Sequence, residues 1–443
     1  MVFRSGRMRL MVDIRPLRVR PYARLWGSTV VTAVGSALTA VAVPLQIYEI
    51  TGSSTYVGLA GLAGLGPLVI CGLWGGAVAD VVDRRRMMLV TNIGIALTST
   101  VLWVQAVVGL HSVAVLLGLV AVQQGLFGAN TSVRGAVVPR LVPTELFPAA
   151  NTLQSSVVYF GGIVGPLLAG ALLPVIGIGT LYLIDATALC ATLWAVWKLP
   201  PLPPLHEGTR RAGLREIAAG LRYLTKRRIL LVTYLADLIA MLFANPVALF
   251  PQVAHETFDD PPGGGFAIGV LYAAIPAGAL CAAVLSGTFT GIRRHGAVVA
   301  AAVCTWGLAI TAFGFSRSLI LAALFLVLAG AAVIVLSVFR RTVLQEAVTD
   351  EMRGRMQGID VIVAAGGPQL AYIAHGTAGA ALGTTWAISG GGLLAVAAML
   401  ATVLAFPTYW RYRAPTQPDH RIGEPAEPEP PAVRSREAIQ TSP

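Results

Sequence analysis

Apolar residues in this chain run in stretches of about 20, long enough to cross a hydrocarbon core of about 30 Å as helices. Short polar or basic clusters separate them. The pattern predicts twelve spans, near 25–47, 57–79, 88–110, 113–136, 152–174, 176–198, 229–252, 267–289, 297–315, 319–341, 358–381 and 384–406. The predicted fold class is therefore all-α, a polytopic membrane protein. One longer connection opens with Pro200, Pro201, Pro203 and Pro204, and within it Leu214, Ile217, Ala218, Leu221 and Leu224 recur at helical spacing opposite Arg215 and Arg222. That is the pattern of an interfacial helix. The expected organisation is a basic segment over 1–24, a six-helix bundle over 25–198, a linker over 199–228, a second six-helix bundle over 229–406 and a tail over 407–443. The tail is rich in Pro, Glu and Arg without apolar periodicity, and so reads as disordered.

Composition agrees with the pattern: the 443 residues are 12% charged and 56% hydrophobic, with a mean hydropathy of +0.73, whereas soluble domains are about a quarter charged. The net charge of +11 sits in short clusters between apolar runs, with no aromatic-interleaved platform for nucleic acid. Cys71, Cys190, Cys281 and Cys304 fall inside apolar segments without metal-ligand spacing, which makes them small buried hydrophobes. Seven arginines by Arg24, and no small-residue cleavage site, argue against a cleavable signal peptide.

Charge also orients the spans. With both termini cytoplasmic, 31 of the 32 Lys and Arg residues lie on the cytoplasmic side and only Arg317 lies outside. The positive-inside bias thus predicts a multi-pass protein of the cell membrane, with the lipid bilayer as a partner. The halves also repeat. Arg85 corresponds to Arg293, Val142-Pro143-Thr144-Glu145 to Val348-Thr349-Asp350-Glu351, and Gly165-Pro166 to Gly367-Pro368, at offsets of 208, 206 and 202. A duplicated six-helix unit is the layout of a transporter whose halves rock about a central site.

Ionisable groups inside a bilayer are costly, so each is a candidate for function. Asp237, Asp185 and Asp360 fall within spans, as does His375, which is more economically read as a packing residue. Asp237, with no Lys or Arg at comparable depth in spans 1 to 3 or 7 to 9, is the leading candidate for a proton site. Gln123, Gln124, Asn130 and Asn245 are candidate hydrogen-bonding groups, either in a cavity or as polar glue between helices. Glu49 lies at the outer end of the first span and reads as solvated. At the end of span 2, Gly72, Gly75 and Gly76 permit close helix approach, and Asp80 followed by Arg84, Arg85 and Arg86 marks a membrane face. In span 5, Gly161, Gly165 and Gly170 also favour close packing, and Pro166 removes a backbone hydrogen bond at mid-membrane. The only lysines, Lys198 and Lys226, are not preceded by glycine, so there is no phosphate-binding loop. Without a metal cluster or an activated nucleophile either, neither a cofactor nor an enzyme is expected.

The run Gly76–Arg86 resembles the signature loop of the major facilitator superfamily, a glycine followed four residues on by an aspartate and then by paired basic residues. Leu25-Trp26-Gly27, Pro44–Ser54, Ala79–Arg86, Pro139–Pro143 with Ala150-Asn151, and Asp350–Arg355 resemble the macrolide-efflux and enterobactin-exporter branch over about residues 20–406. Val81 and Asp83 depart from the signature, and Ala121 stands where the superfamily often carries an arginine three residues before Gln124-Gly125. Gly161–Gly170 with Pro166 resembles the antiporter motif of drug exporters. The resemblance implies gating by Gly76, Asp80, Arg84 and Arg85, a monomer, and secondary active export of a small amphipathic compound (drug, macrolide or siderophore-like) by proton antiport. Nutrient or lysolipid uptake on the same fold, and a non-transporting sensor or assembly factor, remain open at this point.

Overall fold

The structure, a computed structural model, describes residues 13–79, 81–203, 222–225, 227–286, 292–348 and 350–410. It is helical throughout, with no strand among the described residues. The long helices are α1 (Arg20–Thr51), α2 (Ser54–Ala79), α3 (Arg84–Val108), α4 (Val113–Leu141), α5 (Phe147–Trp197), α6 (Arg228–Phe243), α7 (Phe250–Phe258), α8 (Phe266–Val284), α9 (His295–Phe315), α10 (Leu319–Ala347), α11 (Asp350–Leu382) and α12 (Thr384–Ala405), followed by the single turn α13 (Pro407–Trp410). Ten stretches among the described residues are long and apolar enough to cross a bilayer. Phe147–Trp197 supplies two crossings and α11 adds another, which makes twelve.

The 51-residue α5 turns at Gly177, whose φ of 70° and ψ of 168° suit only a residue without a Cβ. Its first arm runs parallel to α1, with Gly161 against Ala33 and Gly165 against Ala37. Its second arm runs back: Tyr182, Asp185 and Thr192 meet Gln46, Thr39 and Thr32 of α1 in reverse order. The turn thus falls beside the expected boundary between the spans ending at 174 and beginning at 176, and Pro166, expected to perturb the helix at mid-membrane, keeps a helical backbone.

The seventh predicted span is a broken helix. α6 stops at Phe243, because Pro246 lacks an N–H and disfavours helix at the residue before it. A 3-10 turn at Val247–Leu249 leads into α7, with Asn245 half-buried in the gap. α10 extends past its predicted end at 341 to Ala347, so that Arg340 stands two turns inside the helix and not at its last residues.

Outward faces carry continuous apolar stripes, such as Val90, Ile93, Leu97, Val101, Val104 and Val108 on α3, all exposed as a lipid-facing surface requires. Inside, one large core joins both halves. It includes Leu45 and Tyr48 of α1, Leu173 of α5, Leu249, Val253 of α7 and Ile268 of α8. At the end rich in basic residues, the smaller cores stay separate. Leu25, Ala79, Met88 and Val137 pack together in the N-terminal half, and Leu230, Leu344, Met356 and Ile359 in the C-terminal half.

Candidate functional site

The opposite end from the basic residues is where the two halves touch. Gly170 of α5 packs against Gly269 of α8, with room for no side chain on either. Gly58 and Gly61 of α2 meet Tyr372 of α11, and the Ser54 hydroxyl donates to the Gly376 carbonyl at 3.0 Å. Two further bonds cross between the halves: the Tyr48 hydroxyl donates to Glu256 at 3.2 Å, and the Gly263 N–H donates to Glu49. Glu49 is therefore engaged in a contact between halves and is not simply solvated.

Beneath this closure lies a cavity of about 330 Å³. Ser36, Thr39 and Ala40 of α1, Gln123, Gln124 and Phe127 of α4 and Asp185 line it from one half, and Gln369 and Tyr372 of α11 from the other. Asp185 is the carboxylate in this lining, and it is 1% exposed. Its carboxylate accepts hydrogen bonds from Thr39 and Ser99, each at 2.9 Å, and from Ser36 at 3.5 Å. Gln123 donates to Ser99 at 3.2 Å and extends the network toward the cavity. Among the described residues no cation pairs with Asp185. Gly35 of α1 lies so close over it that a Cβ would stand 2.9 Å from its Oδ1. A buried carboxylate held by neutral donors alone can take up or release a proton with no salt bridge to break.

Asp237 has different surroundings. Its carboxylate lies 3.4 Å from Arg340 Nη1, and the same nitrogen lies 2.6 Å from Asp360 Oδ1. The expectation of an acid without a counter-ion is corrected here: Arg340, predicted at the edge of span 10, is 4% exposed within α10 and bridges both acids. Such a pair is far more stable charged than an isolated carboxylate, because each ion offsets the other's loss of water. Sequence reading missed Arg340 because its partners lie about a hundred residues before it and twenty after.

The remaining candidates divide between packing and lining. Asn130 donates to Thr91 at 2.8 Å and joins α4 to α3, so it is glue and does not line the cavity. His375 is 4% exposed, with its ring against Gly391. Gly161, Gly165 and Gly170 are close-approach positions, and so is Gly75, where a Cβ would stand 2.7 Å from Ala129 Cα. Gly72 faces the Gly128 backbone of α4 and its carbonyl accepts from the Ser132 hydroxyl at 2.7 Å, whereas Gly76 faces open space, which corrects the expectation of close packing for Gly76. Asp83 caps α3 by accepting from the Arg85 N–H at 2.8 Å. Arg85 donates to the Trp197 carbonyl at 2.5 Å, and Arg84 Nε donates to the Ala79 carbonyl at 3.3 Å. Asp80 lies outside the described residues, as does most of the linker with its expected interfacial helix.

The sequence model of the MFS_3 family, described as transmembrane secretion effector, matches residues 12–425. The chain belongs to this family of the major facilitator superfamily. It is 28% identical over 410 residues to the enterobactin exporter EntS of Escherichia coli strain K12, a match covering 91% of this chain and 97% of that one. The corresponding exporter of Shigella boydii serotype 18 is 28% identical over 399 residues, covering 89% and 94%. Among solved structures, the nucleoside transporter NupG in its D323A form superposes with a TM-score of 0.69 at 11% identity, covering 88% of this chain and 99% of that one. A bacterial homologue of the human lysosomal transporter Spinster, inward-facing and unoccupied, gives 0.65 at 15%, covering 90% and 97%. These structures share the fold. The two relatives named are exporters, and the chain is a multi-pass membrane transporter of this family.

Proposed function

We propose that the protein is a proton-coupled secondary exporter of a small amphipathic organic molecule, working by alternating access in the cytoplasmic membrane with both termini inside. The units that rock are residues 25–198 and 229–406, without enzymatic chemistry and as a monomer. The observation that carries this reading is the cavity shared by both halves, closed over at one end and flanked at the basic end by two separate cores. Opening the closed end requires separating Gly170 from Gly269 and Gly58 and Gly61 from Tyr372, and releasing the hydrogen bonds made across it by Ser54, Tyr48 and Glu49.

Export as the direction is supported by the 28% identity to enterobactin exporters. The mixed lining, with amides and hydroxyls beside Ala40, Phe127 and Tyr372, suits an amphipathic ligand. Proton coupling is assigned to Asp185, since Asp237, the leading candidate from sequence, is occupied by Arg340. Gln123 and Gln124 are proposed as substrate hydrogen-bonding groups. Gly76, Asp80, Arg84 and Arg85 are proposed as the cytoplasmic gate, and Pro166 and Gly170 as the face on which the halves move, with Gly161 and Gly165 seating that helix on α1 of its own half. The test uses inverted membrane vesicles and a panel of radiolabelled enterobactin, erythromycin and 1-anilinonaphthalene-8-sulfonate. An acid-inside gradient is expected to drive accumulation of at least one probe. Accumulation only under the reversed gradient would mean uptake, and failure of every probe in both gradients and in counterflow would support a non-transporting role.

A further inference from the structure

The internal repeat places Arg134 of α4 at 206 residues before Arg340 of α10, and Thr29 of α1 at 208 residues before Asp237 of α6. These are the same offsets that relate other landmarks of the two halves, and the structure joins both pairs: Arg134 Nη2 donates to the Thr29 hydroxyl, and Arg340 Nη1 meets Asp237. The charges do not match. Arg340 has two carboxylates, Asp237 and Asp360, whereas Arg134 has a neutral hydroxyl and, among the described residues, no carboxylate. Its Nε is buried without an acceptor. A guanidinium stays charged in a protein and offers five N–H donors. Among the described residues, the N-terminal half therefore holds a positive charge that no carboxylate compensates.

Helical register places this charge on the transport path. On α4, the cavity residues Val120, Gln123, Gln124 and Phe127 define one face, and Arg134 follows Phe127 by seven residues, two turns along that face. On α1, Thr29 precedes the cavity residue Ser36 by the same seven. Arg134 thus stands about 10 Å from the cavity lining toward the basic end, at the side where the two halves have separate cores.

We infer that Arg134 recognises an anionic group of the substrate, a carboxylate, sulfonate or phenolate, which takes in the N-terminal half the place Asp237 takes in the C-terminal half. The inference rests on the transport reading above and narrows its substrate class. Planar bidentate recognition by arginine suits such oxyanions. It also accounts for an arginine in both halves with an acid beside it in only one: a permanent internal partner at Thr29 would compete with the ligand.

The test compares two dyes that differ by one charged group, 1-anilinonaphthalene-8-sulfonate and the neutral N-phenyl-1-naphthylamine, binding to the full chain in nanodiscs of zwitterionic lipid, with empty-disc signal subtracted. Arg134→Gln is expected to weaken sulfonate binding about tenfold to a hundredfold and to leave the neutral dye unchanged, while Arg134→Lys retains most of the preference. Thr29→Asp installs the missing acid and is expected to reduce sulfonate binding in the same direction without touching the arginine. Equal loss of both dyes, or sulfonate binding insensitive to Arg134→Gln and Thr29→Asp, overturns the assignment while leaving transport standing. Absence of saturable binding of either dye to the parent chain counts against the transport reading as well. If phosphatidylglycerol added to the discs displaces the sulfonate, the site belongs to lipid headgroups and the assignment fails.

Discussion

Among single residues, the sharpest contrast is between two buried aspartates. Asp237 and Asp185 both stood out in the sequence as acids in apolar runs, but nothing local distinguishes an acid with a counter-ion from one with only hydroxyl partners. The distinction is made by Arg340, which sits beside Arg341 at what the hydropathy pattern marks as the edge of a span. Because α10 runs on to Ala347, the arginine is inside the bundle instead. Removing it leaves two carboxylates without a cation, which costs about 3–5 kcal/mol when a buried ion pair is broken on one side. Arg340→Ala is therefore expected to lower Tm in detergent markedly, and the triple variant with Asp237→Asn and Asp360→Asn to recover most of the loss. An unchanged Tm in Arg340→Ala would show that the cluster does not form. Asp83, read from sequence only as a departure from the signature, is the cap of α3, and Asp83→Ala is expected to cost about 1 kcal/mol in a denaturation series.

For elements, apolar periodicity made the helices legible, and the breaks were harder to read. A proline inside a helix can be absorbed, as Pro166 is, while the glycine at 177 adopts a positive φ and turns the chain back. Asn245-Pro246 does interrupt its span, because the chain there leaves the helix before the proline rather than bending around it. The small-residue pattern in the first arm of α5 was legible as packing, but not which helix each glycine meets. Gly161 and Gly165 face α1, and Gly170 faces α8 across the two halves. Gly170→Val puts carbon where Gly269 already stands and is expected to pry that end open. In a background without native cysteines, Ala40→Cys should then react several-fold faster with a membrane-impermeant maleimide applied from the outside. An unchanged rate would mean that this crossing is not the closure.

The whole molecule was the most legible level, because twelve apolar stretches, a proline-rich midpoint and repeated landmarks are global regularities that no single contact can disguise. Sidedness is testable directly: a reporter fused after Pro262 is expected to behave as external, and one after Pro204 or Pro418 as cytoplasmic. Any inversion would contradict the reading of the 31-to-1 charge split. What the sequence could not place is the cavity itself, since Ser36, Gln123, Asp185 and Tyr372 converge from four separate stretches of chain. The central claim is that the unpaired carboxylate in that cavity couples transport to protons. Its most direct measurement is transport by Asp185→Asn in proteoliposomes, with a probe that the parent chain carries. The account predicts that accumulation driven by a pH gradient is lost while gradient-free counterflow is retained, and full gradient-driven accumulation by Asp185→Asn would contradict it.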